Sequence, residues 1–279
     1  MTEATSEKIL IALAGGAADF FKAQSRIRAV LDAHPAASCS LLVSPALADM
    51  ARRSRLFADV MPLPDVSAFN IPAQLALYRS LKRAAFDGVY TLARPLPFAA
   101  RQALAGVPAR VVAAAPDVAP PVWMETDVSL FGLQKPYVLL LPGQGAAWPA
   151  VRYAAAAMKL IRQGCQVAIL GTDANADIAR RVCAAAPEVK DITGRTSYYD
   201  VYSLARGAEG MIGAPSAALH LAAMAGCPVV ALLDGAADLQ KDTPEGDAVT
   251  VIQADTVADI SVEDVLRNLR PRPQQGDAA

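Results

Sequence analysis

The chain has only two histidines, His34 and His220, in 279 residues, and no Asp-x-Asp pair. A catalytic metal therefore has no recognisable ligand set, and neither a metal nor an organic cofactor is expected. Neither histidine has an identifiable serine or cysteine nucleophile beside it, which leaves a nucleophilic triad unsupported. The four cysteines, Cys39, Cys165, Cys183 and Cys227, are far apart and form no Cys-x-x-Cys pair. They read as small buried hydrophobes in a reducing compartment rather than as disulfides or zinc ligands. A Walker A sequence is also missing. "LLLPGQGAAW" supplies Gly143 and Gly145 but puts Trp148 where the third glycine of a dinucleotide fingerprint belongs, so nicotinamide chemistry is disfavoured.

A net charge of −1 lacks the basic excess of a nucleic-acid-binding chain, and none is expected as a partner. No window reaches the length of a membrane-spanning helix. At the N-terminus, acidic residues precede the short apolar run "KILIALA", the wrong order for a signal peptide. The expectation is a soluble cytoplasmic protein, with peripheral contact to the inner membrane face left open.

Apolar residues are plentiful. They make up 54% of the chain against 19% charged, enough for one large core or two ordinary ones. Short apolar strands alternate with amphipathic helices almost throughout. Phe21, Ile27, Val30 and Leu31 share one face of a helix predicted over residues 20–33. This cadence predicts parallel sheets covered by helices. It lapses in the proline-rich "PDVAPPVWMETDVSLFGLQKP", which reads as a linker. The expected organisation is α/β: two Rossmann-like, doubly wound domains facing a cleft. They are placed at residues 1–120 and 137–270, with a linker at 121–136 and a disordered tail at 271–279.

In such sheets, ligands bind beyond the carboxyl ends of the strands. "GGAAD" follows the first strand; its glycines permit close backbone approach, and Asp19 is a candidate general base. Capping the next helix is the plainer role for that aspartate. "TGRTS" places Arg195 where it could face a phosphate, and Thr196 or Ser197 where either could cap a helix. In "MIGAPSAALHLAAMAGCPVVALL", Pro215 and Ser216 fall about where a helix begins. The N–H groups and dipole of such an end attract phosphate. Ser216 and His220, four residues apart, lie on one face; burial against the sheet is the plainer role for His220.

In order and spacing, these blocks resemble the heptosyltransferase family, glycosyltransferase family nine. The likeness runs through "KILIALAGGAAD", "HPAASCSLLVSPALADM", "AAFDGVYTLA" with "GVPARVV", "PYVLLLPG", "DITGRTSYYDVYSLARGAEGMIG" and "HLAAMAGCPVVALL". The resemblance implies a GT-B fold. It also implies inverting, metal-independent transfer of a sugar from a nucleotide donor, an ADP-sugar being favoured, to a saccharide or glycolipid acceptor of the lipopolysaccharide type. Asp19 falls where the family keeps its proposed base. Ser216, Ala217 and His220 fall on the family's donor motif, Asp-Ser/Thr-Gly-x-x-His. Gly143, Arg195 and Thr196 are the remaining donor candidates.

The chain departs from the family where charge is expected. The motif's aspartate is Pro215 and its glycine is Ala217. The basic residue before the tryptophan is Ala146 or Ala147, the histidine before Pro-Gly is Leu141, and "DGAAD" replaces Gly-Pro-Thr-Asp-Pro. Arg152 and Arg195 are the candidates to restore charge. Two functions therefore compete: sugar transfer, and a non-catalytic GT-B module that binds a nucleotide, a sugar or a protein partner.

Overall fold

The computed structural model describes residues 6–64, 70–113, 121–143 and 148–269. The expectations for Ala146 and Ala147, for the linker prolines before residue 121 and for the tail lie outside the described residues. The chain divides into two compact units, Met1–Ala119 and Pro120–Ala279.

In the first unit the sequence cadence becomes β1 (Lys8–Ala14), α1 (Ala17–Lys22), α2 (Gln24–Ala33), β2 (Ser38–Val43), α3 (Pro45–Ser54) and β3 (Asp59–Pro62). There follow α4 (Ile71–Ala84), β4 (Gly88–Ala93), α5 (Phe98–Ala103) and β5 (Ala109–Arg110). The strands are all parallel, in the order β3-β2-β1-β4-β5. Central β1 has neighbours on both edges, and Ile9 to Leu13 are fully buried, which is why its sequence is an unbroken apolar run. The single helix predicted over 20–33 is two. The Gln24 side-chain amide donates to the Phe20 carbonyl (3.0 Å), the acceptor that a continuing helix would bond to backbone N–H. With Phe20 and Phe21 both buried, the chain turns at Ala23 and restarts as α2.

The second unit comprises β6 (Tyr137–Leu141), α6 (Ala150–Arg162), β7 (Gln166–Ile169), α7 (Ala176–Ala185), β8 (Lys190–Asp191) and α8 (Tyr198–Gly207). It continues with β9 (Gly210–Gly213), α9 (Ala217–Met224), β10 (Val229–Asp234), α10 (Leu239–Asp242), β11 (Val249–Ala254) and α11 (Val262–Asn268). Its parallel order is β11-β10-β9-β6-β7-β8. Residues 121–136 pack on this unit. They bury Met124 and Phe131, donate Thr126 N–H to Ser203 Oγ (2.8 Å) and pair Glu125 with Arg206 (3.2 Å).

Trp148 is core rather than loop furniture. It is fully buried, its indole N–H donates to the Ile260 carbonyl (2.9 Å), and its ring meets Tyr153 edge-on at 4.9 Å. It thereby ties the start of α6 to the segment leading into α11. Trp148→Ala is expected to cost about 3–5 kcal/mol, read as a lower urea midpoint.

At the amino end of the first sheet, Glu7 bonds Arg110 (2.6 Å) and His34 (3.0 Å), and His34 reaches the Tyr90 hydroxyl (2.9 Å). The Arg110 hydrogen bond, aided by His34, holds the Glu7 carboxyl below the ordinary 4.5. A depressed carboxyl contributes stability that is complete above its unfolded value and is lost as pH falls through the folded value. Urea unfolding across a pH series should therefore show a steeper loss below pH 4.5 in the wild type than in Glu7→Gln.

Candidate functional site

Each sheet has one point where its winding reverses. After β1 the chain moves outward through β2 to β3 and returns on the other side at β4; after β6 it visits β7 and β8 and returns at β9. Loops leaving the carboxyl ends of β1 and β4, and of β6 and β9, must therefore diverge. Such switch points are where doubly wound folds bind ligands.

At the first switch point stands Asp19. It occupies the third position of α1, not the cap: Gly16 is the cap residue, and Asp19 Oδ2 reaches back to accept Gly16 N–H at 3.0 Å. Oδ2 also faces Arg94 Nε at 3.3 Å. Both contacts fall on one oxygen, and among the described residues Oδ1 has no hydrogen-bond partner. Gly15 makes the approach possible. Its φ of +151° is strained for any side chain, and a Cβ there would collide with the Asp19 carboxylate.

Arg94 was not singled out by the sequence. It follows Ala93, whose φ of +69° is costly for a residue with a Cβ, on the order of 1 kcal/mol. The turn so made lets Arg94 N–H donate to the Ala14 carbonyl (3.2 Å), pinning the guanidinium beside the loop after β1. Such local strain clusters at functional sites. The available signal was positional: Arg94 is the first residue after a strand that ends at the switch point.

At the second switch point lie Gly143, Ser216, Ala217 and His220. Gly143 follows β6 and packs against Ala214, which follows β9; a Cβ at 143 would strike the Ala214 methyl. Ser216, not Pro215, starts α9. It is the cap residue, with extended backbone, and its Oγ accepts Leu219 N–H at 3.3 Å. Pro215 stands one residue before the cap rather than at the first helical position. Ser216 and Ala217 are half-buried, and His220 is buried one turn in, its N–H bonded to the Ser216 carbonyl (3.2 Å).

Arg195 and Thr196 are elsewhere. They follow edge strand β8, which β7 separates from β6, so they stand roughly 10 Å along the sheet from that strand. Arg195 is exposed, Thr196 is half-buried, and Ser197 is the residue that caps α8. Arg152 lies in the first turn of α6. The carboxyl of Glu263 is held down chiefly by its bond to Lys159, with a smaller pull from Arg152.

Asn175 links these loops. Buried before α7, it donates to the carbonyls of Pro142 (3.0 Å) and Gly143 (3.1 Å) and accepts Thr172 N–H (3.0 Å). The loop after β8 joins through Gly194 N–H to the Gly171 carbonyl (2.9 Å). Among the described residues, no group of three His, Cys, Asp or Glu could hold a metal ion. No helix of the described residues is long and apolar enough to cross a membrane.

Two doubly wound parallel units, each with a glycine at its switch point, define a two-domain α/β class of protein. Glycosyltransferase family 9 (heptosyltransferase) matches residues 113–268, more than half of the chain, and the protein belongs to that family. Its fold is that of the GT-B heptosyltransferases. E. coli ADP-heptose lps heptosyltransferase II shares 20% identity, with 94% of this chain and 97% of that chain covered and a TM-score of 0.70. The family 9 glycosyl transferase from Veillonella parvula shares 13%, covers 94% and 96%, and has a TM-score of 0.75. E. coli heptosyltransferase WaaC with ADP shares 14%, with 93% and 98% covered and a TM-score of 0.68. No curated protein gives a significant match. Family membership makes the chain a glycosyltransferase by class and disfavours the non-catalytic module.

Asn175→Ala would leave two buried carbonyls without their donor. It is expected to cost about 1–3 kcal/mol, measured as a lower urea midpoint at unchanged slope.

Proposed function

We propose that the protein transfers a sugar from a nucleotide-sugar, an ADP-sugar being favoured, to a cell-envelope saccharide or glycolipid of the lipopolysaccharide type. The reaction inverts the anomeric centre and uses no metal. The observation that carries this reading is Asp19 at a switch point. Gly16 N–H and Arg94 fix Oδ2 and leave Oδ1 to take a proton. As the acceptor hydroxyl attacks the anomeric carbon, its proton passes to Oδ1. The bond from that carbon to the diphosphate breaks, and the nucleoside diphosphate leaves.

The leaving group gathers negative charge as that bond lengthens. Fixed N–H dipoles stabilise such charge without having to reorganise. We assign this to the first turn of α9, where Ser216 can accept Leu219 N–H and still donate its own hydrogen to a phosphate oxygen. His220, one turn further, faces the same ligand, and Gly143 lets the backbone after β6 come close. Arg195 and Thr196 reach the ligand only if its sugar or base extends toward β7 and β8. An acceptor embedded in the inner face of a membrane would require the protein to work there as a peripheral protein.

Support comes from family membership over the residues that contain α9, and from a related structure described as holding ADP. Asp19→Asn keeps a side-chain oxygen for Gly16 N–H but removes the base. With ADP-heptose and a lipopolysaccharide-core acceptor, in EDTA, this variant should lose about 10²- to 10⁴-fold in kcat. Its ADP affinity by calorimetry should stay at the wild-type value. Wild-type protein that binds neither ADP nor UDP would refute the donor assignment, and an active Asp19→Asn would refute the base.

A further inference from the structure

Helix α4 buries Leu77 and Leu81 in the core and exposes a second apolar row. Ile71 is 70% exposed, Leu75 43% and Tyr78 37%, and their spacing of four and three residues stacks them on one helix face. Lys82 continues the row. Phe98, which opens the adjacent α5, is 62% exposed. Single exposed apolar residues need no explanation, but an aligned row outside the core marks an interaction surface.

The charge in this part of the chain is strongly positive. Residues 70–113 contain Arg79, Lys82, Arg83, Arg94, Arg101 and Arg110 against Asp87 alone, in a chain whose net charge is −1. Arg94 and Arg110 are committed to Asp19 and Glu7. Among the described residues no carboxylate pairs with Arg79, Lys82, Arg83 or Arg101, and all four are exposed. Complementing the dipole at the end of α4 accounts for Lys82 and Arg83. It does not account for Arg79, for Arg101 on the next helix, or for the apolar row.

We propose that the outer face of α4, with the start of α5, docks on an anionic lipid bilayer. An apolar row set in long, flexible cations suits an interface that is apolar at depth and negative at its surface. The cations reach headgroup phosphates while their stems and the Ile71, Leu75 and Tyr78 side chains enter the acyl boundary. α5 begins soon after the carboxyl end of β4, and α4 runs back along the sheet to end just before the amino end of β4, so Ile71 and Phe98 stand at the same end of the sheet as Asp19. A lipid-anchored acceptor held there would present its sugar at the base. This deepens the function proposed above and rests on it for its purpose. Vesicle binding needs no sugar donor, so the two fail separately.

The test is co-sedimentation of the full chain with phosphatidylglycerol-containing vesicles and with phosphatidylcholine vesicles. Binding should be confined to the anionic vesicles and weaken with salt. Neutralising a surface cation lowers membrane partitioning about fivefold, so Arg79→Gln/Lys82→Gln/Arg83→Gln together should lose on the order of a hundredfold. Ile71→Asp/Leu75→Asp should also abolish binding, whereas Arg180→Gln/Arg181→Gln, exposed on α7, should leave it intact. Circular dichroism and ADP affinity run on the same samples show that the fold is kept. Equal binding to both vesicle types, no binding, or a triple variant that binds like wild type would overturn the proposal. So would a dimer by light scattering that Ile71→Asp/Leu75→Asp dissolves, which would give the face to a second copy.

Discussion

A parallel strand with a neighbour on each edge buries both of its faces, and a chain can cover both faces with helices only by reversing its winding. Both candidate sites of this protein follow from that constraint acting twice. β1 and β6 are the strands that demand it: each is almost wholly apolar, and each sits where its sheet changes direction. The reversal leaves two loops with nothing between them at the strand ends. In the first unit that gap receives Asp19 and Arg94; in the second it receives Gly143 and the start of α9. Local strain at Ala93, and the collisions that a Cβ at Gly15 or Gly143 would cause, mark the strand ends from which these loops part.

This also explains how much could be read from the sequence. Buried parallel strands are continuous apolar runs, so β1, β2, β6 and β10 stand out, and the alternation with helices gives the fold class. What failed depended on side chains acting on backbone. The break between α1 and α2 has no glycine or proline to announce it; there the Gln24 amide, not a backbone N–H, bonds the Phe20 carbonyl. The start of α9 falls two residues later than proline statistics suggest, because the Ser216 hydroxyl supplies the cap. Arg94 and Asn175 were missed for a related reason. Each matters through a partner distant in sequence, Asp19 in one case and the Pro142 and Gly143 carbonyls in the other.

The proposed donor site is nearly neutral. Pro215 and Ala217 stand where the family motif has Asp and Gly, and the stretch after Gly143 carries no cation in its sequence. Of the two candidate substitutes, Arg195 follows the edge strand and Arg152 sits in the field of Glu263. A diphosphate bound on these terms depends on N–H groups and dipoles rather than on a full positive charge. Charge-assisted bonds are roughly twice as strong as neutral ones, so affinity and leaving-group stabilisation fall more heavily on the geometry of α9. That places the weight on Ser216, whose cap fixes the first turn, and on Asn175, which holds the facing loop.

Fold alone does not select the chemistry. Function must be argued from sites grafted on the architecture. The two sites are unequally supported, since the family match spans residues 113–268 and so includes α9 but neither Asp19 nor Arg94. The first unit is where this chain's own physics has to speak, and it does so through charge. Asp19 is held by a cation that a strained turn delivers, and Arg79, Lys82, Arg83 and Arg101 are exposed on the two helices that carry the apolar row. The lipid-borne acceptor proposed above would use both features of this unit at once.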